Sequence, residues 1–172
     1  MIRILGIDPG SRITGYGIVD TDGHRAVYVT SGCVRITDDD IGEKLKTIFD
    51  AITELVHDTN PHELAIEKVF MHRNADSALK LGQARGAAIC AATQHAIPVS
   101  EYTATQIKQS VVGKGNAAKT QVQHMVRVLL NLPGFPQADA ADALAAALCH
   151  ANTRNTLMLM QGVQGMSRGR FR

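Results

Sequence analysis

The chain has 172 residues, of which 45% are hydrophobic and 20% charged, with a net charge of +2. That length fits one domain with a sizeable core, and that balance excludes a disordered or fibrous chain. No apolar run approaches the ~18 residues of a membrane span, and the first residues lack a secretory cleavage pattern, so the protein is expected in the cytoplasm with no membrane partner. Cys33, Cys90 and Cys149 lie far apart with no C-x-x-C spacing, which reads as reduced, partly buried thiols. The seven histidines show no ligand spacing either, which argues against zinc. Charge is unevenly spread: residues 1–67 hold 6 Lys+Arg against 12 Asp+Glu, a net −6, whereas residues 68–172 hold 12 against 4, a net +8. A basic second part is compatible with phosphate binding, although a solvated basic surface gives the same count.

Along the chain, Ile2 to Asp8, Thr14 to Asp20 and Ala26 to Ile36 read as strands. Asp8-Pro9-Gly10-Ser11 and Asp22-Gly23 supply turns between them, predicting an antiparallel meander. Leu45, Ile48, Ile52, Leu55 and Val56 follow three acids at helical spacing, which predicts a helix over about residues 40–58. Leu64 to Glu67 is a short apolar strand after Pro61, Asn74 to His95 a long helix of small residues, and Ile97 to Glu101 another strand. Three helices are expected at Thr103 to Val111, Ala117 to Leu130 and Asp139 to His150, the last two separated by Pro133-Gly134-Phe135-Pro136. Residues 153–172 lack a periodic apolar face and read as a mobile basic tail behind a unit of residues 1–152. The order β-β-β-α-β-α-β-α-α-α implies an α/β fold, a mixed five-stranded sheet flanked by helices on the ribonuclease H-like plan.

Four acids stand out because their surroundings are apolar. Asp8 ends the strand Ile2 to Ile7 and Glu67 ends Leu64 to Ile66, positions where a charge is costly unless it meets a partner or water. If the two strands are neighbours, their carboxylates crowd one site and need a cation to offset the repulsion. Asp139 and Asp142, three residues apart, share a helix face at its first turn. Each motif has a plainer reading: Asp8-Pro9-Gly10 as a turn, Asp139 as an N-cap and Asp142 as a dipole-favoured acid. Together, an oxygen-only ligand set suits Mg²⁺ or Mn²⁺ and hydrolysis of a phosphodiester.

The segments GIDPGSRITGYGIVD (6–20), AIEKVF (65–70), NADSALKLGQARG (74–86), IKQSVVGKG (107–115), KTQVQHMV (119–126) and QADAADALA (137–145) resemble the RuvC Holliday junction resolvases, over residues 2 to about 150. The resemblance implies a ribonuclease H-like homodimer acting on four-way junction DNA, with two Mg²⁺ per site on Asp8, Glu67, Asp139 and Asp142. It also implies paired nicks in strands of like polarity, leaving 5′-phosphate and 3′-hydroxyl ends, and the RuvA and RuvB branch-migration proteins as partners. By the same resemblance Phe70 stacks on bases near the crossover, where its residue type alone favours a hydrophobic anchor at a helix entry over a DNA wedge. Lys108 and Lys119 match lysines set against the scissile phosphate, although each alone is an ordinary surface lysine. Arg73, Lys80, Arg85 and Lys114 are weaker candidates for contacts to the DNA backbone.

Two other readings have less support. Gly113 to Thr120 looks like a nucleotide-binding loop, but position 118 is Ala and a helix is expected before it. Gly6-Ile7-Asp8-Pro9-Gly10 resembles the phosphate loop of actin-like ATPases, which need a second similar domain that this length does not hold. A junction-binding scaffold without catalysis is the remaining alternative, and the intact acids argue against it. Along the long helix, Gly82 and Gly86 with scattered apolar residues Leu79, Leu81, Ala88 and Ile89 form more surface than one sheet contact uses, which reads as a dimer seam.

Overall fold

The computed structural model describes the backbone of residues 1–69 and 74–166, and side chains up to residue 157 within those spans. Strands β1 (Ile2–Asp8), β2 (Ile13–Thr21) and β3 (Ala26–Arg35) form the meander. The β2–β3 turn closes because Gly23 takes a positive φ of 94° while Asp22 Oδ1 accepts from the amides of His24 and Arg25. Helix α1 (Ile41–Thr59) starts on Asp40, whose side chain accepts from the Glu43 amide. Strand β4 (Glu63–Glu67), helix α2 (Ala75–Thr93), strand β5 (Val99–Tyr102) and helices α3 (Ala104–Val112), α4 (Lys119–Leu129) and α5 (Ala138–Met166) follow. Asn74 caps α2, and a Thr103–Gln106 capping box starts α3.

The sheet order is β3-β2-β1-β4-β5, antiparallel among the first three and parallel from β1 through β4 to β5. This is the expected mixed five-stranded sheet of the ribonuclease H-like plan. Side-chain alternation along β1 and β4 divides the core in two. Ile4, Val19 and Ala65 pack with α3, α4 and α5, while Leu5, Ile7, Ile18, Leu64 and Ile66 pack with α1 and α2 on the opposite face.

Several expected boundaries shift by one or two residues, and that of the last helix by many more. Strand β5 begins at Val99 rather than Ile97, because the Ile97 amide still bonds to Ala92 of the preceding helix. The last helix, expected to stop at His150, runs on to Met166, so no break separates residues 1–152 from the stretch read as a mobile tail. No proline follows Pro136, and Arg154, one turn past His150, is tied back to Glu63 at 3.0 Å. The tail expectation for residues 167–172 lies outside the described residues.

Helix α5 lies directly on the sheet because glycines clear its path. A Cβ built on Gly6 of β1 would overlap the carbonyl oxygen of Ala143, and one on Gly15 of β2 would overlap that of Asp139. Both obstacles are helix backbone, which has no rotamer to yield. Gly6→Ala is therefore expected to cost about 1–3 kcal/mol and to lower the melting temperature by roughly 3 °C or more in a thermal melt; an unchanged melt would show that α5 is free to shift.

Candidate active site

The strand period places the first two acids. Ile4 and Gly6 face α5, so Asp8, two residues on, faces it too; Ala65 likewise puts Glu67 on that side. Since Ile7 pairs with Ile66 in parallel register, Asp8 and Glu67 stand one step beyond on adjacent strand ends, with backbones about 4.8 Å apart by ordinary strand spacing. The glycine contacts then set Asp142: its neighbour Ala143 sits on Gly6, two residues before Asp8. Asp8, Glu67 and Asp142 line one cavity of about 300 Å³, with Lys108 and Lys119 on its wall and Ile107 and Val122 at its base.

Electrostatics in this cavity is dominated by unscreened negative charge. Burial, then repulsion from Asp142 and Glu67, raises the Asp8 carboxyl to about 7, with Asp139 adding to the effect and Lys119 opposing it. Glu67 is raised for the same reasons, burial first and then Asp142, against the pull of Lys119 and Lys108. Lys119 Nζ donates to Asp142 Oδ2 at 2.9 Å, and this bond holds the ammonium above its ordinary value. Every acidic donor is a carboxylate oxygen, with no histidine or cysteine on the lining, so the residues fit a hard divalent cation. Among the described residues, no three potential ligands stand close enough to hold an ion as they lie, so the acids share a cavity and not a closed cage.

The other expected residues divide. Asp139 lies inside the first turn of α5 and not at its cap, off the cavity lining but near enough for its charge to act on Asp8. Lys80 is ion-paired with Asp76 at 2.7 Å on the exposed surface of α2, and Lys114 is exposed beside Gly113. Phe70 and Arg73 lie outside the described residues. Arg85 is a correction: expected on the DNA backbone, it is turned inward, donating from Nε to the main-chain oxygen of Glu67 at 3.1 Å and pairing with Glu101. Burial of the guanidinium next to an acid on β5 makes it a brace for the end of β4.

A buried polar chain was not legible beforehand. Tyr102 Oη meets His150 Nδ1 at 2.6 Å, and His150 Nε2 meets Glu63, which also accepts from Arg154. It ties β5 and the start of β4 to α5 seven residues after Ala143, on the same helix face. The helical spacing was visible in the sequence, but its partners on two strands were not.

Residues 4–150 match the family described as crossover junction endodeoxyribonuclease RuvC. A crossover junction endodeoxyribonuclease RuvC of Shewanella loihica is 58% identical over 170 residues, covering 98% of each chain. The structure of Thermus thermophilus RuvC in complex with a Holliday junction substrate superposes with a TM-score of 0.85 at 34% identity, covering 91% of this chain and 96% of that one. A second Thermus thermophilus RuvC structure superposes with a TM-score of 0.82 at the same identity, covering 90% of this chain and 96% of that one.

The raised Asp8 has a thermodynamic consequence. A carboxyl at 3.8 in the unfolded chain and about 7 in the fold binds more protons when folded, so its cost to stability grows as pH rises from about 4 to 7 and is fully present above. In metal-free buffer, Asp8→Asn is expected to raise the melting temperature by about 3 °C or more at pH 8 and to change it little at pH 4; equal shifts at both would contradict the burial of this charge.

Proposed function

Because the chain belongs to the RuvC family of crossover junction endodeoxyribonucleases, we propose that Asp8, Glu67, Asp139 and Asp142 form the centre with which it cuts. The protein is an endonuclease that resolves Holliday junctions. What carries the assignment of the centre is the convergence of two parallel strand ends and the first turns of α5 on one carboxylate-lined cavity with two lysines.

Asp8, Glu67 and Asp142 would hold the ions, with Asp139 one turn earlier adding charge and orienting water. When bound, about two Mg²⁺, with Mn²⁺ as substitute, supply an activated water and charge neutralisation at the leaving oxygen. The remaining work belongs to the side chains. Lys119, freed from Asp142, turns its ammonium to the scissile phosphate, and Lys108 on the same lining adds positive charge. No covalent nucleophile is needed, and the ends left are 5′-phosphate and 3′-hydroxyl.

Two centres are required to nick both strands of like polarity, and a twofold dimer provides them. The support for a seam is the outward surface of α2, where Leu79 is 63% exposed and a Cβ on Gly82 or Gly86 would meet nothing within 4 Å. Its resolvase activity would follow branch migration by RuvA and RuvB in the cytoplasm; among the described residues no helix is long and apolar enough to cross a membrane. The acids and lysines of the proposed centre all lie within residues 1–152.

Asp8→Asn should abolish Mg²⁺-dependent nicking of a synthetic four-way junction while junction binding persists, and the Mg²⁺-induced rise in melting temperature should vanish with it. Full nicking in that variant would remove the centre from the mechanism. Lys119→Ala should slow single-turnover nicking about 10²- to 10³-fold, the usual loss when one donor to a developing charge is removed.

A further inference from the structure

Outside the cavity, the segment from Tyr102 to Ala138 contains Lys108, Lys114, Lys119 and Arg127 and no Asp or Glu. Lys119 has Asp142 as partner and Lys108 faces the carboxylates, so their charge is partly spoken for. Arg127 is different. It lies two turns along α4 from Lys119, and among the described residues no carboxylate stands within salt-bridge reach of it. Its guanidinium carbon sits 4.9 Å from the centroid of the Phe135 ring.

Phe135 is itself anomalous: a large aromatic ring 58% exposed, in the loop that leads into α5 four residues before Asp139. It is held there and does not dangle. Gln123 Nε2 donates to the Pro136 carbonyl at 2.7 Å, fixing the loop against α4, and the His124 ring lies 6.2 Å from that of Phe135. An exposed ring near two nitrogen-bearing side chains does little for the core, since its apolar surface stays in water. It does orient the arginine at low cost, because stacking restricts the guanidinium without consuming its N–H donors.

We infer that Arg127, held against Phe135, is a contact for the sugar–phosphate backbone of a junction arm as that arm leaves the active site. The inference rests on the nuclease reading above and adds to it a second anchoring point about two helical turns, or roughly 12 Å, from Lys119. A duplex is wide enough to touch both points. Charge complementarity names the occupant: an acid-free stretch of chain presents donors and no acceptor side chain of its own sign to the approaching polyanion. Phosphate contacts of this kind set position and affinity, not base preference.

The test is fluorescence anisotropy of a labelled four-way junction in EDTA at several salt concentrations, with the full chain and Arg127→Ala, Phe135→Ala and, on the far face of the sheet, Lys46→Ala. Arg127→Ala should weaken binding about tenfold near 0.1 M salt, as loss of a charge-assisted bond does, and flatten the log–log salt slope by about 1. Phe135→Ala should weaken binding roughly threefold while leaving the slope in place, because the cation remains but is no longer pre-oriented. Lys46→Ala should match wild type, and thermal melts should be unchanged for all three substitutions, since none of these side chains is buried. An affinity and slope for Arg127→Ala equal to wild type, in a preparation whose wild-type protein nicks the junction with Mg²⁺, overturns the arginine contact alone. A wild-type protein that neither binds nor nicks overturns the nuclease reading and this contact together.

Discussion

Three carboxylates gathered at the end of an apolar sheet repel one another, and the rest of the fold holds them there against that repulsion. Asp8 shows its size: burial and its acidic neighbours hold its carboxyl near 7, where an ordinary aspartate has long since ionised. A fold does not keep such a group for stability, because a neutral side chain of the same shape would cost less. A divalent cation among the oxygens would offset that repulsion, which is the physical reason for proposing a metal centre at this cavity. Lys119 relieves part of it by bonding to Asp142.

The geometry comes from strand period, parallel register and helix–sheet distance acting together. Alternation puts Asp8 and Glu67 on the face that α5 covers, and the register brings them side by side. Glycine at positions 6 and 15 lets helix backbone touch sheet backbone, which fixes the depth of Asp142. Farther along the same helix, the Tyr102–His150–Glu63–Arg154 chain pins α5 to β4 and β5. Fully satisfied buried networks of this kind specify one arrangement over others. Arg85 does the equivalent from the opposite face by holding the carbonyl of Glu67.

Local signals in the sequence account for most of the elements. Turn residues, apolar periodicity and capping acids place the strands and helices to within a few residues, the end of α5 excepted, and acids at strand ends single out Asp8 and Glu67, which the fold brings onto one cavity. Failures came where a residue's role depends on a distant partner. Arg85 carries the charge of a phosphate contact, but Glu101, sixteen positions on, turns it inward. His150 looked like the end of a helix, whereas Glu63 and Arg154 extend order past it. Gly6 and Gly15 read as strand residues only, since nothing nearby in sequence announces that α5 must rest on them. Asp139 could be taken as a cap, yet the helix already begins at Ala138.

The central claim concerns where an ion sits, so the most direct measurement is anomalous diffraction from crystals of the protein grown with Mn²⁺. The account predicts an anomalous peak among Asp8, Glu67 and Asp142, within ordinary oxygen–metal bonding distance of at least two of those carboxylates. A peak confined to other acids, such as the Asp38 to Asp40 run ahead of α1, or none at an ion concentration that supports nicking, would contradict it.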